Sequence, residues 1–148
     1  MATVQSQLAG SCHCRNISFE IDWPGNVTRI LARRCGCTFC TKHGGVWTSN
    51  PAGSLRVRIA DPARVSRYEF GTETATFFIC ARCGAVPLVT SRIADRDYAV
   101  INVNSFDGVD AASIQIAPAS FDGEDISDRL ARRRRNWIGD VNIEEEPS

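Results

Sequence analysis

The sequence predicts an all-β architecture, a sheet sandwich or open barrel, carrying one C-terminal helix. Three observations lead there. Short stretches of alternating apolar and polar residues fill the first two-thirds of the 148 residues. Turn-forming residues punctuate them, and a helical period emerges clearly in one place near the end.

The strand candidates run in order along the chain. "RNISFEI" (15–21) places Ile17, Phe19 and Ile21 on one face, and "SLRVRI" (54–59) does the same with Leu55, Val57 and Ile59. "ARVSRYEF" (63–70) alternates more loosely, with Ser66, Tyr68 and Phe70 opposite Val65, Arg67 and Glu69. "TATFFI" (74–79), "AVPLVTSRI" (85–93) and "YAVINVNS" (98–105) are rich in β-branched and aromatic residues, which fit a pleated surface. Pro24-Gly25, Asn50-Pro51, Gly71 and the stretch 94–97 supply turns between them. The helix is read in "EDISDRLARRRRNWIG" (124–139), where Ile126, Leu130 and Trp137 form an apolar stripe. Acidic residues precede it and arginines close it, as the helix dipole favours. "IEEEPS" (143–148) reads as a solvated tail. No repeat or internal boundary appears, so residues 1–148 are expected to form a single domain.

Composition excludes several functions. Formal net charge is zero, so no global field recruits nucleic acid or a membrane surface. No apolar run approaches the roughly 18 residues a membrane helix needs, and "MATVQSQLAG" lacks the basic and apolar regions of a signal peptide. A cytoplasmic location is expected.

Seven cysteines then need a reason. An odd count without an export signal argues against a disulfide framework, and scattered core thiols would not cluster as these do. They fall at CHC (12–14), CGCTFC (35–40) and CARC (80–83). Cys12 and Cys14 with Cys80 and Cys83 make two paired turns that can complete a tetrahedron around zinc, with Gly84 supplying permissive backbone after the second. Four thiolates leave no open position, so this site is expected to be structural.

Cys35, Cys37 and Cys40 are left over, on a short loop eased by Gly36. Three ligands and an open fourth position match a catalytic pattern. Three thiolates, however, reduce the Lewis acidity that a neutral histidine set preserves. Such a site is better suited to capturing a soft ligand, a thiol, whose pKa the ion would lower. Arg33, Arg34, Lys42 and Arg82 are candidate cations to offset the resulting charge, and Trp47 and Phe39 could line a pocket. His43 is the competitor: its C-x-x-H spacing from Cys40 could close the site and make it structural. His13, between Cys12 and Cys14, is expected to point away from the ion.

These motifs carry a resemblance. "GSCHC" (10–14), "CGCTFCTKHGG" (35–45) and "FFICARCGAVP" (77–87) are together similar to the glutathione-dependent formaldehyde-activating family, which includes centromere protein V-like domains. The resemblance covers about residues 9–104, leaving a C-terminal strand, helix and acidic tail over 105–148. It implies an Mss4-like "tent" of short antiparallel sheets and two zinc ions per chain. Cys12, Cys14, Cys80 and Cys83 would hold the structural ion, and Cys35, Cys37 and Cys40 the second, whose open position glutathione sulfur can occupy. The implied activity is that of a carbon–sulfur lyase resembling S-(hydroxymethyl)glutathione synthase. Its partners would be a small thiol such as glutathione and a small aldehyde such as formaldehyde. Two departures touch the surroundings: Arg15 stands where the family commonly has glycine, and Thr41 where many members have arginine. The alternative class is a non-catalytic zinc-stabilised module contacting protein or nucleic acid, for which "RRRR" (132–135) is the best support. The basic end of a helix, answered by the acids of "GDVNIEEE", is the simpler account of that run.

Overall fold

A computed structural model describes residues 5–25 and 27–146. In chain order the strands are β1 (Gln5–Ser11), β2 (Ile17–Pro24), β3 (Ile30–Cys35), β4 (Val46–Thr48), β5 (Ser54–Ile59), β6 (Val65–Tyr68) and β7 (Thr76–Cys80). They continue with β8 (Leu88–Ile93), β9 (Arg96–Asn102), β10 (Phe106–Asp107), β11 (Ile114–Ala119) and β12 (Asp140–Glu145). Two helices interrupt them, α1 (Thr38–His43) and α2 (Ile126–Asn136). The expected mostly-β class holds, with α2 as the main helix.

The strands form two sheets, ordered β10-β1-β2-β5-β12 and β11-β3-β4-β9-β8-β7-β6. Most neighbours are antiparallel, but β11 runs parallel to β3 and β12 parallel to β5. The alternation read in β2 and β5 sends Ile17, Phe19, Ile21, Leu55, Val57 and Ile59 into the main core. Truncating one of these to alanine would cost about 2–5 kcal/mol. β8 and β9 are apolar on both faces for a different reason. Leu88 and Ile101 join the main core, whereas Val89 and Val100 join a second one containing Cys40, Trp47, Phe77 and Trp137.

Ala94 and Asp95 join β8 to β9 with φ of 50° and 64°, the left-handed pair a two-residue hairpin needs.

Three expectations change. The acidic tail is not wholly solvated: residues 143–145 belong to β12, where Ile143 pairs with Val57 and Glu146 N donates to Ile59 O at 2.9 Å. Glu144 and Glu145 face Arg58 and Arg67, so charge does not prevent an edge strand here. Pro147 and Ser148 lie outside the described residues. The apolar stripe of α2 holds only in part: Trp137, at the C-cap, is 7% exposed, whereas Ile126 is 51% exposed and the buried residue within the helix is Arg133. Finally, Cys37 and Cys40 sit on a helical turn rather than an irregular loop. Among the described residues no helix is long and apolar enough to cross a membrane.

Candidate metal centres and an arginine-lined cleft

The first cysteine group draws on chain segments 66 residues apart. Cys12 follows β1, Cys80 ends β7, and the sulfurs of Cys12, Cys14, Cys80 and Cys83 all lie within 4.8 Å of one another. Cys12 Sγ is 3.8 Å from Cys14 Sγ, which is 3.4 Å from Cys80 Sγ. Sulfurs at the corners of a zinc tetrahedron are about 3.8 Å apart, so the donor set fits that ion. Backbone N–H groups point at the sulfurs: Ile17 N donates to Cys12 Sγ at 3.3 Å and Cys83 N to Cys80 Sγ at 3.5 Å. Gly84 takes φ 82° and donates to Cys80 O at 2.8 Å, the role anticipated for it. Arg15 takes φ 70° at the matching turn, which explains why glycine suits this position and makes Arg15 a strained substitute. Cys12 and Cys80 are 1% and 0% exposed. As a free thiol Cys12 is pushed up to about 12, chiefly by burial. His13 is exposed and stands outside the group, as expected.

The second group is local. Cys35 ends β3, Cys37 caps α1, and Cys40 lies inside it; their three sulfurs also fall within 4.8 Å of one another. Cys37 Sγ accepts from Cys40 N at 3.3 Å, so the x-x spacing is one capped helical turn. Gly36 is not needed for a left-handed turn. Its N–H instead continues the parallel ladder to Ala119 O at 2.9 Å. As free thiols the three are unequal. The hydrogen bond between Cys40 and Cys35 pulls Cys35 down to about 5, assisted by Cys37 and the Arg132 charge and opposed by burial. The same hydrogen bond, together with burial, pushes Cys40 far up.

His43 does not join them. It is absent from the three-sulfur group, its ring packs 4.5 Å from Phe39 and 5.9 Å from Trp47, and its buried Nε2 has no hydrogen-bond partner among the described residues. Burial lowers its pKa, keeping it neutral. The C-x-x-H spacing is therefore one turn of α1 that delivers the ring to an aromatic nest.

The three cysteines form part of the wall of a cleft of about 160 Å³. Its floor is apolar, with Trp47, Phe77, Val100 and Trp137. Trp47 thus lines the pocket, whereas Phe39 packs behind it against Phe77 at 4.8 Å. Four arginines complete the lining: Arg33, Arg129, Arg132 and Arg133. Of the cations anticipated, Arg33 is there, whereas Arg34, Lys42 and Arg82 are not among the lining residues. α2 provides the other three; Arg132 and Arg133 belong to the run 132–135 expected as the basic end of the helix, and Arg129 precedes it. Their spacing at 129, 132 and 133 marks one helical face and was the available signal. Nor do the C-terminal acids answer them. Glu124, just before α2, holds Arg132 at 3.1 Å and Arg129 at 3.6 Å.

A sequence model described as "Glutathione-dependent formaldehyde-activating enzyme" matches residues 7–120. The chain belongs to this family. All seven cysteines of both groups fall inside the matched span, and α2 falls outside it. The fold is also similar to the crystal structure of a Rhodobacter sphaeroides protein determined as a structural-genomics target. The two are 27% identical with a TM-score of 0.56, over 74% of this chain and 99% of that one. A search of curated proteins finds no match. Membership of a formaldehyde-activating enzyme family indicates a glutathione-dependent aldehyde-activating or related role, and both cysteine groups are able to hold metal.

Proposed function

We propose that the protein is a zinc-dependent carbon–sulfur lyase of the S-(hydroxymethyl)glutathione synthase type, joining a thiol to a small aldehyde. The observation that carries this reading is the second cysteine group: three gathered sulfurs, no fourth side-chain ligand among the described residues, and a cleft lined by cations in front of them. Cys12, Cys14, Cys80 and Cys83 hold a structural zinc, and Cys35, Cys37 and Cys40 hold a second. Bound there, that second ion supplies a soft acceptor that lowers the pKa of an incoming thiol.

The chain's own residues do the rest. Arg33 and Arg132 favour the thiolate electrostatically in a site of reduced dielectric. Trp47, Phe77 and Trp137 exclude water and hold the thiol and aldehyde together, which replaces a bimolecular encounter with one inside a complex. The thiolate sulfur forms a bond to the aldehyde carbon, the carbonyl π electrons move to oxygen, and that oxygen takes up a proton from solvent. The product is a hemithioacetal. Guanidinium groups stabilise the charge developing on oxygen in this step.

Two of the four arginines behind the binding-module alternative have roles inside the fold, since Arg133 is buried and Arg132 is paired with Glu124, while Arg134 and Arg135 are exposed. The whole chain acts as one unit, since α2 completes a cleft begun by β3 and α1. A cytoplasmic setting suits it, where thiols stay reduced.

The test is spectroscopic. With cobalt in the second site, glutathione at millimolar concentration is expected to change the visible absorption of the ion. An unchanged spectrum would sink the thiol-capture reading.

A further inference from the structure

Two of the surfaces that bound the cleft come from α2 and from the loop joining β6 to β7. Phe70, Gly71, Thr72 and Ala75 of that loop line the cleft, beside Arg129 and Arg133 of the helix. The loop's own backbone gives it little support. Gly71 and Glu73 are left-handed, at φ 62° and 55°, and for Glu73, which carries a side chain, that conformation is unfavourable. Within the loop, Glu73 N donates to Phe70 O at 3.0 Å, and the Thr72 and Thr74 hydroxyls lie 2.7 Å apart.

Arg133 ties this loop down. It is 6% exposed, and its Nη1 donates to Thr74 O at 3.1 Å, Thr74 Oγ1 at 2.9 Å and Ser91 Oγ at 3.0 Å. Ser91, buried in β8, donates in turn from Oγ to Thr74 O at 2.7 Å. Helix, loop and sheet thus meet in one closed set of hydrogen bonds. Among the described residues no other side chain of α2 bonds to the loop. The guanidinium is charged at neutral pH, since burial and the neighbouring Arg132 and Arg129 bring it down only to about 10. Glu124, the nearby acid, is engaged by Arg132 and Arg129. Burying a cation without its own acid is unfavourable, and an apolar side chain in the same space would avoid that penalty. What the guanidinium supplies is the link itself. It joins α2, which lies beyond the 7–120 span that the family accounts for, to a loop inside that span.

We propose that Arg133 is a positioning residue for the cleft: acting through Thr74, it fixes the β6–β7 loop relative to α2 and so sets the size of ligand that the cleft admits. Phe70 is the side chain that this placement controls. Its ring stacks on Phe77 of the cleft floor at 5.5 Å and on Tyr68 at 5.5 Å. A released loop carries Phe70 off the floor, which widens the cleft and weakens its contact with a small ligand. The size claim rests on the thiol-capture reading, whereas the tie between Arg133 and the loop does not.

The test uses the full chain with cobalt in the second site and takes two readings. Hydrogen exchange, followed by mass spectrometry without any thiol, reports on the segment 70–76. Arg133→Met is expected to speed its exchange about tenfold, the scale of one charge-assisted hydrogen bond, and to leave β2 and β5 unchanged. Ethanethiol and 2-phenylethanethiol are then titrated against the cobalt absorption. Arg133→Met should shift the ratio of their affinities about tenfold towards the bulkier thiol. Arg133→Lys, which keeps the charge and one anchor, should fall between wild type and Arg133→Met in both readings. Thr74→Val removes one acceptor without touching the helix and should move both readings the same way by less, so the test survives if Arg133→Met does not fold. Unchanged exchange at 70–76, or a rise shared equally by β2 and β5, would overturn the inference and leave thiol capture standing. A loosened loop with an unaltered affinity ratio would also overturn it. If neither thiol changes any spectrum, thiol capture falls and the size claim falls with it.

Discussion

The two cysteine groups are built from the same atoms and differ in nearly everything around them. The four-sulfur group ties the end of β1 to the end of β7 across 66 residues, inside the main core, beside Ile17, Ile59 and Phe78. The three-sulfur group spans six residues of one strand end and one helical turn, and it faces a cleft that joins four arginines to an apolar floor. Long-range closure spends an ion's affinity on folding, because the unfolded chain cannot present the ligands together. Local closure needs little tertiary help, which frees the second group to serve chemistry. On the proposed reading, environment more than ligand type separates a staple from a reactive centre.

The most severe test of that contrast is a pair of serine substitutions. Cys80→Ser should abolish cooperative unfolding, since structural zinc contributes on the order of 10 kcal/mol in small domains. Cys37→Ser should retain a cooperative melt while zinc, measured by atomic emission, falls from about two ions per chain to about one. Equal collapse of both variants would erase the distinction, and a wild-type content of one ion or none would remove the division into four and three ligands.

A milder probe disturbs only the cleft. Arg132, Arg129 and Arg133 hold the Glu124 carboxyl below the usual range, its hydrogen bond from Arg132 being the largest influence. A depressed pKa contributes stability that is present above the usual carboxylate pKa and is lost as pH falls through the lowered value. Glu124→Gln should therefore cost about 1 kcal/mol at neutral pH. The gap from wild type should close on acidification, as followed by denaturant titration at several pH values. Zinc content should not change, because neither cysteine group contacts this residue. A gap that widens in acid would be inconsistent with the ion-pair account.

The smallest expected effect lies at the turn of the four-sulfur group. Arg15→Gly relieves a left-handed residue and should raise stability by about 0.5–1 kcal/mol. Gly84→Ala, with φ 82° and no atom within 4 Å of an added Cβ, should lower it by about 1 kcal/mol through backbone strain alone. Thermal melts of the two variants read the left-handed requirement of each turn. Shifts of the opposite sign would mean that the turns tolerate side chains differently from their dihedral angles.

Legibility varied with how local the determining interaction was. β5 was readable to the residue, because Leu55, Val57 and Ile59 alternate with charged neighbours and the strand has one buried face. β8 and β9 were readable as strands, but not as strands shared between two cores. β12 was missed: "IEEEPS" looks like a tail until β5 offers its first residues a parallel edge. The three-sulfur group was found from spacing, yet its setting was not. Spacing left His43 as a competing fourth ligand because it records only sequence separation, and the turn of α1 aims the ring at Phe39 and Trp47.

From its sequence alone this chain declared a β-rich fold, two cysteine groups of four and three, and a family. Those properties rest on period-two alternation and on cysteine spacing, both of which act over a few residues. Tertiary structure decided what surrounds the sulfurs. It carried α2 against β8, so that Thr74 and Ser91 could bury Arg133 and bring Arg129 and Arg132 to a cleft begun almost a hundred residues earlier. No local pattern distinguishes an arginine bound for water from one bound for a cleft. The difference lies in which acceptors the rest of the fold places opposite it.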